Sequence, residues 1–168
     1  MTTKDCVILV DEQDREIGVM EKLQAHKEGK LHRAFSIFIF NDANELLLQQ
    51  RAYSKYHSGG LWANTCCSHP TPNETTLDAA HRRLMEEMGM TCNLEIKTAF
   101  VYKTPFDNGL TEHEYDYILI GESNQQPVIN SLEVESYKWQ TLDAIKADLI
   151  AHPSLYTSWF KIAIETYF

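Results

Sequence analysis

Ala34 to Phe40 reads AFSIFIF, an apolar run broken only by one serine. A stretch so rich in Ile and Phe has no side to offer to water, so it is expected as a strand buried on both faces. A strand of that kind needs packed material above and below its sheet, which already narrows the fold to layered architectures.

The rest of the chain supplies those layers. Cys6 to Val10 and Arg15 to Val19 flank the acidic turn Asp11 to Asp14 and read as a hairpin. Glu21 to Gly29 is polar, a helix or loop ended by glycine. After the turn Asn41 to Asn44, Glu45 to Arg51 pairs back antiparallel and carries Arg51 and Lys55 to the far end of that hairpin. Gly59 and Gly60 interrupt the chain before Leu61 to Thr65. Cys92 to Tyr102 and Glu114 to Gly121 read as strands around the turn Asp107 to Gly109, and Glu133 to Trp139 as a last short strand. Leu142 to Ile150 is a small helix, and Ser154 to Phe168 an amphipathic tail. The sum is an α+β fold, a mixed, mainly antiparallel sheet flanked by helices. Its 168 residues suffice for a single domain, 1–168, with no repeat or linker.

One helix stands out. With successive residues 100° apart, Leu77, Ala80, Leu84 and Met88 share one face and form the expected buried stripe. Arg83 and Glu87 lie together on one flank, and Arg82 and Glu86 on a more exposed side. Asn73 and the neighbouring threonines are candidate N-caps, and Gly89 suits the C-terminal cap.

Bulk properties exclude several functions. A net charge of −9 argues against nucleic acid as a general partner, because that binding needs a broad cationic surface. The apolar runs are far shorter than the roughly 20 residues of a membrane helix, and the start MTTKDCVILVDE lacks the basic and apolar regions of a signal peptide. Adjacent Cys66 and Cys67 make a poor disulfide framework, so a reducing, cytoplasmic setting is expected. An anionic substrate would need a local cationic pocket, and Arg51 and Lys55 at one strand end could converge on a polyanion.

Candidate chemistry gathers in three places. His26 and His32 sit in AHKEGKLH, and His69 follows Cys66, Cys67 and Ser68 just before the helix. In TEHEYD, an extended backbone puts Glu112 and Glu114 on one face and His113 on the other. Three imidazoles and two carboxylates would suit Mn, Mg, Fe or Zn, although on spacing alone each of these histidines reads first as an ordinary core or surface residue. Cys67 by itself reads as a small buried hydrophobe, and Tyr102 and Trp159 as core aromatics.

Resemblance decides between these alternatives. The helix resembles a Nudix box, G-x5-E-x7-R-E-U-x-E-E-x-G-U with U apolar, in Ser68, Glu74, Arg82, Arg83, Leu84, Glu86, Glu87, Gly89 and Met90. All spacings are kept, but Ser68 replaces the first glycine and Arg83 a glutamate. A guanidinium in place of a carboxylate weakens a multi-metal hydrolytic centre and adds a fork for phosphate, so the diphosphate would be held and not cut.

HKEGKLHRAFSIFIF, LLLQQRAYSK, ANTCCSHP, RRLMEEMG, TEHEYDYIL and LYTSWF together resemble the type I isopentenyl-diphosphate isomerases, a Nudix-fold family, over nearly the whole chain. Five residues separate His26 from His32 where some bacterial members have six, and Ala63 stands where Thr is frequent. The resemblance implies a 1,3-allylic shift of a double bond through a tertiary carbocation. It implies Glu114 with Tyr102 and, across the alkene, Cys67 as the proton-transferring groups, with Trp159 facing the cation. It further implies a divalent cation (Mn, Mg or Zn) on His26, His32, His69, Glu112 and Glu114. The diphosphate would lie on Lys22, Arg51, Lys55, Ser68 and Arg83, with Mg²⁺ bridged to Glu87 and the Cys67 carbonyl. The chain is expected to act as a monomer or weak homo-oligomer, with a Nudix hydrolase of a nucleoside or isoprenoid diphosphate as the alternative.

Overall fold

The computed structural model describes residues 5–168. β1 (Cys6–Val10) and β2 (Glu16–Glu21) form the expected hairpin, and α1 (Lys22–Glu28) follows directly. Glu21 caps α1 by accepting from Leu23 N and Gln24 N at 2.9 and 2.8 Å, and Gly29 ends it in the left-handed conformation. β3 (His32–Phe40) is the doubly covered strand, with every residue from Ala34 to Ile39 buried.

β4 (Glu45–Arg51) pairs with β5 (Trp62–Ala63), and β6 (Cys66–Ser68) lies antiparallel to β3. α2 (Thr76–Met88) leads into the long strands β7 (Leu94–Pro105) and β8 (Thr111–Glu122), and β9 (Val134–Thr141) pairs with β4. α3 (Leu142–Ala151), a 3₁₀ turn and α4 (Ser158–Tyr167) close the chain. The nine strands of the described residues join one mixed sheet in which β3 runs parallel to β8 and β8 antiparallel to β7. The strand at Cys66 is an addition to the expected elements, since three residues are too short to show a periodicity.

Alternation along β3 sorts its residues between two cores. Phe35, Ile37 and Ile39 pack with Ala80, Leu84 and Met88 of α2. Phe38 faces the other way, toward Tyr102, Ile118, Trp159 and Phe160, under α3 and α4. The same alternation parts the two cysteines, Cys66 entering the α2 core and Cys67 the side of Trp159.

The helix prediction needs one correction. Leu77 is 37% exposed, whereas Ala79 and Glu87 are buried. Leu77 belongs to the first turn of α2, and the inward face is turned toward Glu87, which accepts from Gln49 Nε2 of β4 at 2.9 Å. Of the candidate caps it is Thr75 that acts, accepting from Asp78 N at 3.1 Å, while Asn73 takes a left-handed turn at φ 68.

Candidate active site

Register across three strands builds the centre of the site. His32 of β3 pairs with Glu114 of β8, and Glu114 with Tyr102 of β7, so the three stand in one row across the sheet. As period two requires, Glu112 and Glu114 share the inward face, 3% and 6% exposed, and His113 turns outward to Gly29 O. Asp116 continues the inward series. The expected face ended one alternation short of it.

Tyr102 Oη sits 2.6 Å from Glu114 Oε2 and 2.9 Å from Glu112 Oε2. Burial, then the charge of Glu114, push Glu112 well above the carboxylate range. Burial opposes ionisation of Glu114 as well, but its contacts with the His32 and His69 imidazoles outweigh it and hold its carboxyl well below that range. A phenol has one proton, so the consistent arrangement has Tyr102 donating to the Glu114 carboxylate and accepting from neutral Glu112.

Four buried or half-buried histidines surround these carboxylates. His26, His32 and His69 lie with Glu114 so that their ligand atoms are within 4.8 Å of one another, and His26, His57 and Glu112 form a second such group. His26 Nδ1 contacts Lys22 O at 2.7 Å and His32 Nδ1 contacts Lys30 O at 2.8 Å, which as N–H donors leaves each Nε2 a lone pair. Among the described residues neither buried Nε2 has a hydrogen-bond partner, that of His32 standing 3.5 Å from Glu114 Oε1. Burial drives His26 down to about 4 and His69 down to about 3, so both are neutral imidazoles at neutral pH. Burial also disfavours the His32 cation, but Glu114 overcomes it and raises the group. Unpartnered lone pairs beside a carboxylate, oriented from behind by carbonyls, fit a divalent cation.

Cys67 lies on the same cavity wall as Tyr102, Glu114 and Trp159. Its sulfur accepts from Trp159 Nε1 at 3.0 Å, and its thiol donates to Asn64 Oδ1 at 2.9 Å. The Asn64 amide is oriented by its other end, which donates to Ile37 O and Cys66 O. Burial pushes the Cys67 thiol up, keeping it protonated. Ser36, opposite Cys67 in the β3–β6 register, reaches the sulfur at 3.7 Å and donates to Asp116 Oδ2 at 2.8 Å.

Cations line the remaining wall. Lys22, Arg51, Lys55 and Arg83 border the cavity with Ser68 and Glu87. Burial and the charges of Lys55 and Arg83 lower Lys22, the electrostatic sign of cations gathered around one space. Lys55 pairs with Glu133, and Arg83 binds Glu86 and Glu87 at 2.7 and 2.5 Å. Among the described residues Arg51 Nε and Arg83 Nε are buried without hydrogen-bond partners, donors open to an anion. Arg51 also lies over the Trp159 ring at 5.2 Å.

All fourteen residues singled out in the sequence therefore meet at or beside one cavity, His26 and His32 through the histidine cluster. Sequence reasoning missed Ser36, Tyr56, His57, Asn64 and Asp116. Asp116 was available from the same alternation that gave Glu112 and Glu114. Tyr56 and His57 carried a weaker signal in the glycine pair after them: Gly60 N donates to Arg51 O at 2.9 Å, folding the 52–60 loop back on the sheet.

This sheet-and-helix arrangement, with its charged helix beside a cationic cavity, is that of a Nudix protein, and residues 30–160 match the NUDIX domain family. A crystal structure of DR0079 from Deinococcus radiodurans shares the fold, with TM-score 0.79 at 18% identity over 97% of this chain and 99% of that one. The chain is 53% identical over 156 residues to the isopentenyl-diphosphate Delta-isomerase of Pectobacterium atrosepticum, covering 93% of this chain and 87% of that protein. It is 52% identical over 162 residues to isopentenyl-diphosphate Delta-isomerase 1 of Aromatoleum aromaticum, covering 96% and 92%. The chain belongs to the isopentenyl-diphosphate Delta-isomerase family within the Nudix fold.

Proposed function

We propose that the chain, as a single cytoplasmic catalytic domain and a monomer or weak homo-oligomer, interconverts isopentenyl diphosphate and dimethylallyl diphosphate. The observation that carries this reading is one cavity lined by both a cationic set and the pair Cys67 and Glu114. The cations suit the diphosphate, and the pair suits proton transfer at the alkene.

The reaction adds a proton to the terminal methylene carbon, leaving a tertiary cation, and removes one from the neighbouring methylene next to the diphosphate-bearing carbon. The double bond moves by one position and no proton is gained or lost overall. Cys67 holds a proton in a thiol, and Tyr102 passes one to or from the Glu114 carboxylate. By microscopic reversibility, whichever group donates in one direction accepts in the other. Trp159 offers its indole to the developing charge, a cation–π contact worth about 2 kcal/mol once desolvated, or roughly thirtyfold in rate. Tyr102 and Trp159, 6% and 2% exposed, give the cavity buried aromatic walls that limit capture of the cation by water.

Lys22, Arg51, Lys55, Ser68 and Arg83 would hold the diphosphate, and Glu87 with the Cys67 carbonyl would be the protein ligands of a Mg²⁺ that neutralises it. His26, His32, His69, Glu112 and Glu114 would hold a second divalent cation, Mn, Mg or Zn. When bound, it supplies positive charge that keeps Glu112 and Glu114 ionised and fixed.

Nudix hydrolysis is the competing reaction. It would need a further helix carboxylate to gather metal, whereas position 83 carries a guanidinium that engages Glu86. In ²H₂O with Mg²⁺, deuterium should enter isopentenyl diphosphate with no phosphate released. Phosphate release without exchange would overturn the reading.

A further inference from the structure

His57 is a buried imidazole of the cavity wall to which the family resemblance gives no role. Its ring is fixed from three sides. It stacks on Phe106 at 4.8 Å and 13°, meets Tyr56 edge-on at 4.4 Å, and stands perpendicular to Trp159 at 6.0 Å. So held, its Nε2 lies 3.1 Å from Glu112 Oε1. Donor atoms of His57, Glu112 and His26 are all within 4.8 Å of one another.

We propose that His57 is a further protein ligand of the divalent cation at the histidine–glutamate cluster, an inference that rests on reading His26, His32, His69, Glu112 and Glu114 as that cation's site. The plain alternative is a core histidine whose contact with Glu112 is an ordinary polar pair. What favours ligation is that this pair stands within 4.8 Å of the ligand atom of His26, itself read as a ligand, whose wholly buried Nε2 has no hydrogen-bond partner among the described residues. A buried lone pair next to a second imidazole and a carboxylate is costly unless something positive sits among them.

The two donor groups share His26, and Tyr102 ties their carboxylates together, so His57 extends one cluster and does not found a separate one. With His57 the set becomes four imidazoles and two carboxylates. Such a nitrogen-rich set favours Mn²⁺ or Zn²⁺ over Mg²⁺, which takes mainly oxygen. The packing of the His57 ring against Phe106 and Tyr56 also means that little freedom is lost on binding.

The test is Mn²⁺ titration by calorimetry of the full chain after chelator treatment, in wild type, His57→Ala, His57→Gln and His32→Ala. Wild type should take up one tight ion at this cluster without substrate present. His57→Ala and His57→Gln should each bind Mn²⁺ about 10- to 100-fold more weakly, with a smaller preference for Mn²⁺ over Mg²⁺. The Gln variant keeps bulk against Phe106, and melting of the metal-free proteins separates lost ligation from lost folding. Wild-type affinity in His57→Gln, with binding lost in His32→Ala, overturns the role of His57 and leaves the five-residue site standing. A wild-type protein that takes up no ion overturns that site itself.

Discussion

Trp159 Nε1 donates to the Cys67 sulfur at 3.0 Å while the thiol donates to Asn64 Oδ1 at 2.9 Å. The sulfur is thus gripped from two elements far apart in sequence, α4 and the loop before β6, and its proton has one defined direction. Cys67→Ala removes that proton and little volume. Turnover, read as deuterium uptake from solvent, should fall by roughly 10³-fold or more, the upper part of what a positioned acid or base contributes. Stability should change by about 1 kcal/mol. Activity within tenfold of wild type would take Cys67 out of the mechanism.

Glu87 is 2% exposed and accepts from both Arg83 and Gln49. Gln at this position keeps the shape, withdraws a Mg²⁺ oxygen and leaves Arg83 with less compensation. Because Glu86 and Glu133 still face Arg83, the stability cost should be about 2 kcal/mol, below that of a fully broken buried pair. The KM for substrate and the Mg²⁺ concentration needed for half activity should both rise about tenfold, with kcat falling less. An unchanged Mg²⁺ requirement would remove Glu87 from the diphosphate site.

The Glu74–Arg82 pair gives acid stability its sign. Both guanidinium contacts are short, 2.7 and 2.8 Å, and the Arg82 hydrogen bonds lower Glu74 to about 2 from 4.5. A depressed carboxyl stabilises the folded protein above its unfolded pKa, so the contribution is full above pH 4.5 and is lost as pH falls toward 2. Arg82 is a third exposed, which screens the pair to about 1 kcal/mol. Glu74→Gln should lower the melting temperature at pH 7 by about 3 °C and should flatten its fall between pH 4.5 and 2. Parallel melting curves for the two proteins across that range would refute the assignment.

Period-two patterns were legible wherever a strand was long enough to show them. Ala34 to Phe40 shows its two covered faces, and TEHEYD its paired carboxylates, in the residue pattern alone. The helix phase was legible only in part: Leu77 is exposed in the first turn, and Glu87 is buried against Gln49 of β4, a polar contact that no hydropathy pattern encodes. The row His32, Glu114, Tyr102 depends on a parallel β3–β8 register between strands some eighty residues apart, a long-range choice that local sequence does not express. Family resemblance supplied those residues where physics alone left them undecided. It passed over His57, whose position follows from a tight loop and from aromatic packing, both absent from the matching motifs.

Gly89 and Gly109 share a left-handed backbone, at φ 61 and 81, yet they should differ sharply when replaced by alanine. A Cβ at residue 109 meets none of the described residues within 4 Å, so Gly109→Ala should cost only the conformational penalty, about 1 kcal/mol. A Cβ at residue 89 would stand 2.6 Å from the Val128 carbonyl oxygen, which is backbone and cannot rotate aside. Relief would have to move the segment that closes the end of α2, where Val128 N donates to Met88 O and Asn130 N to Glu87 O at 2.8 and 2.9 Å. Overpacking added to the backbone penalty gives about 3 kcal/mol for Gly89→Ala, or about 9 °C in melting temperature. Because Asn130 O in turn accepts from Glu133 N at 2.9 Å, the displacement reaches the carboxylate that pairs with Lys55 and Arg83. Gly89→Ala should therefore also raise the KM for substrate, while Gly109→Ala leaves it alone. Equal melting losses in the two variants would show that the Val128 contact relaxes freely and that the close of α2 does not set the diphosphate pocket.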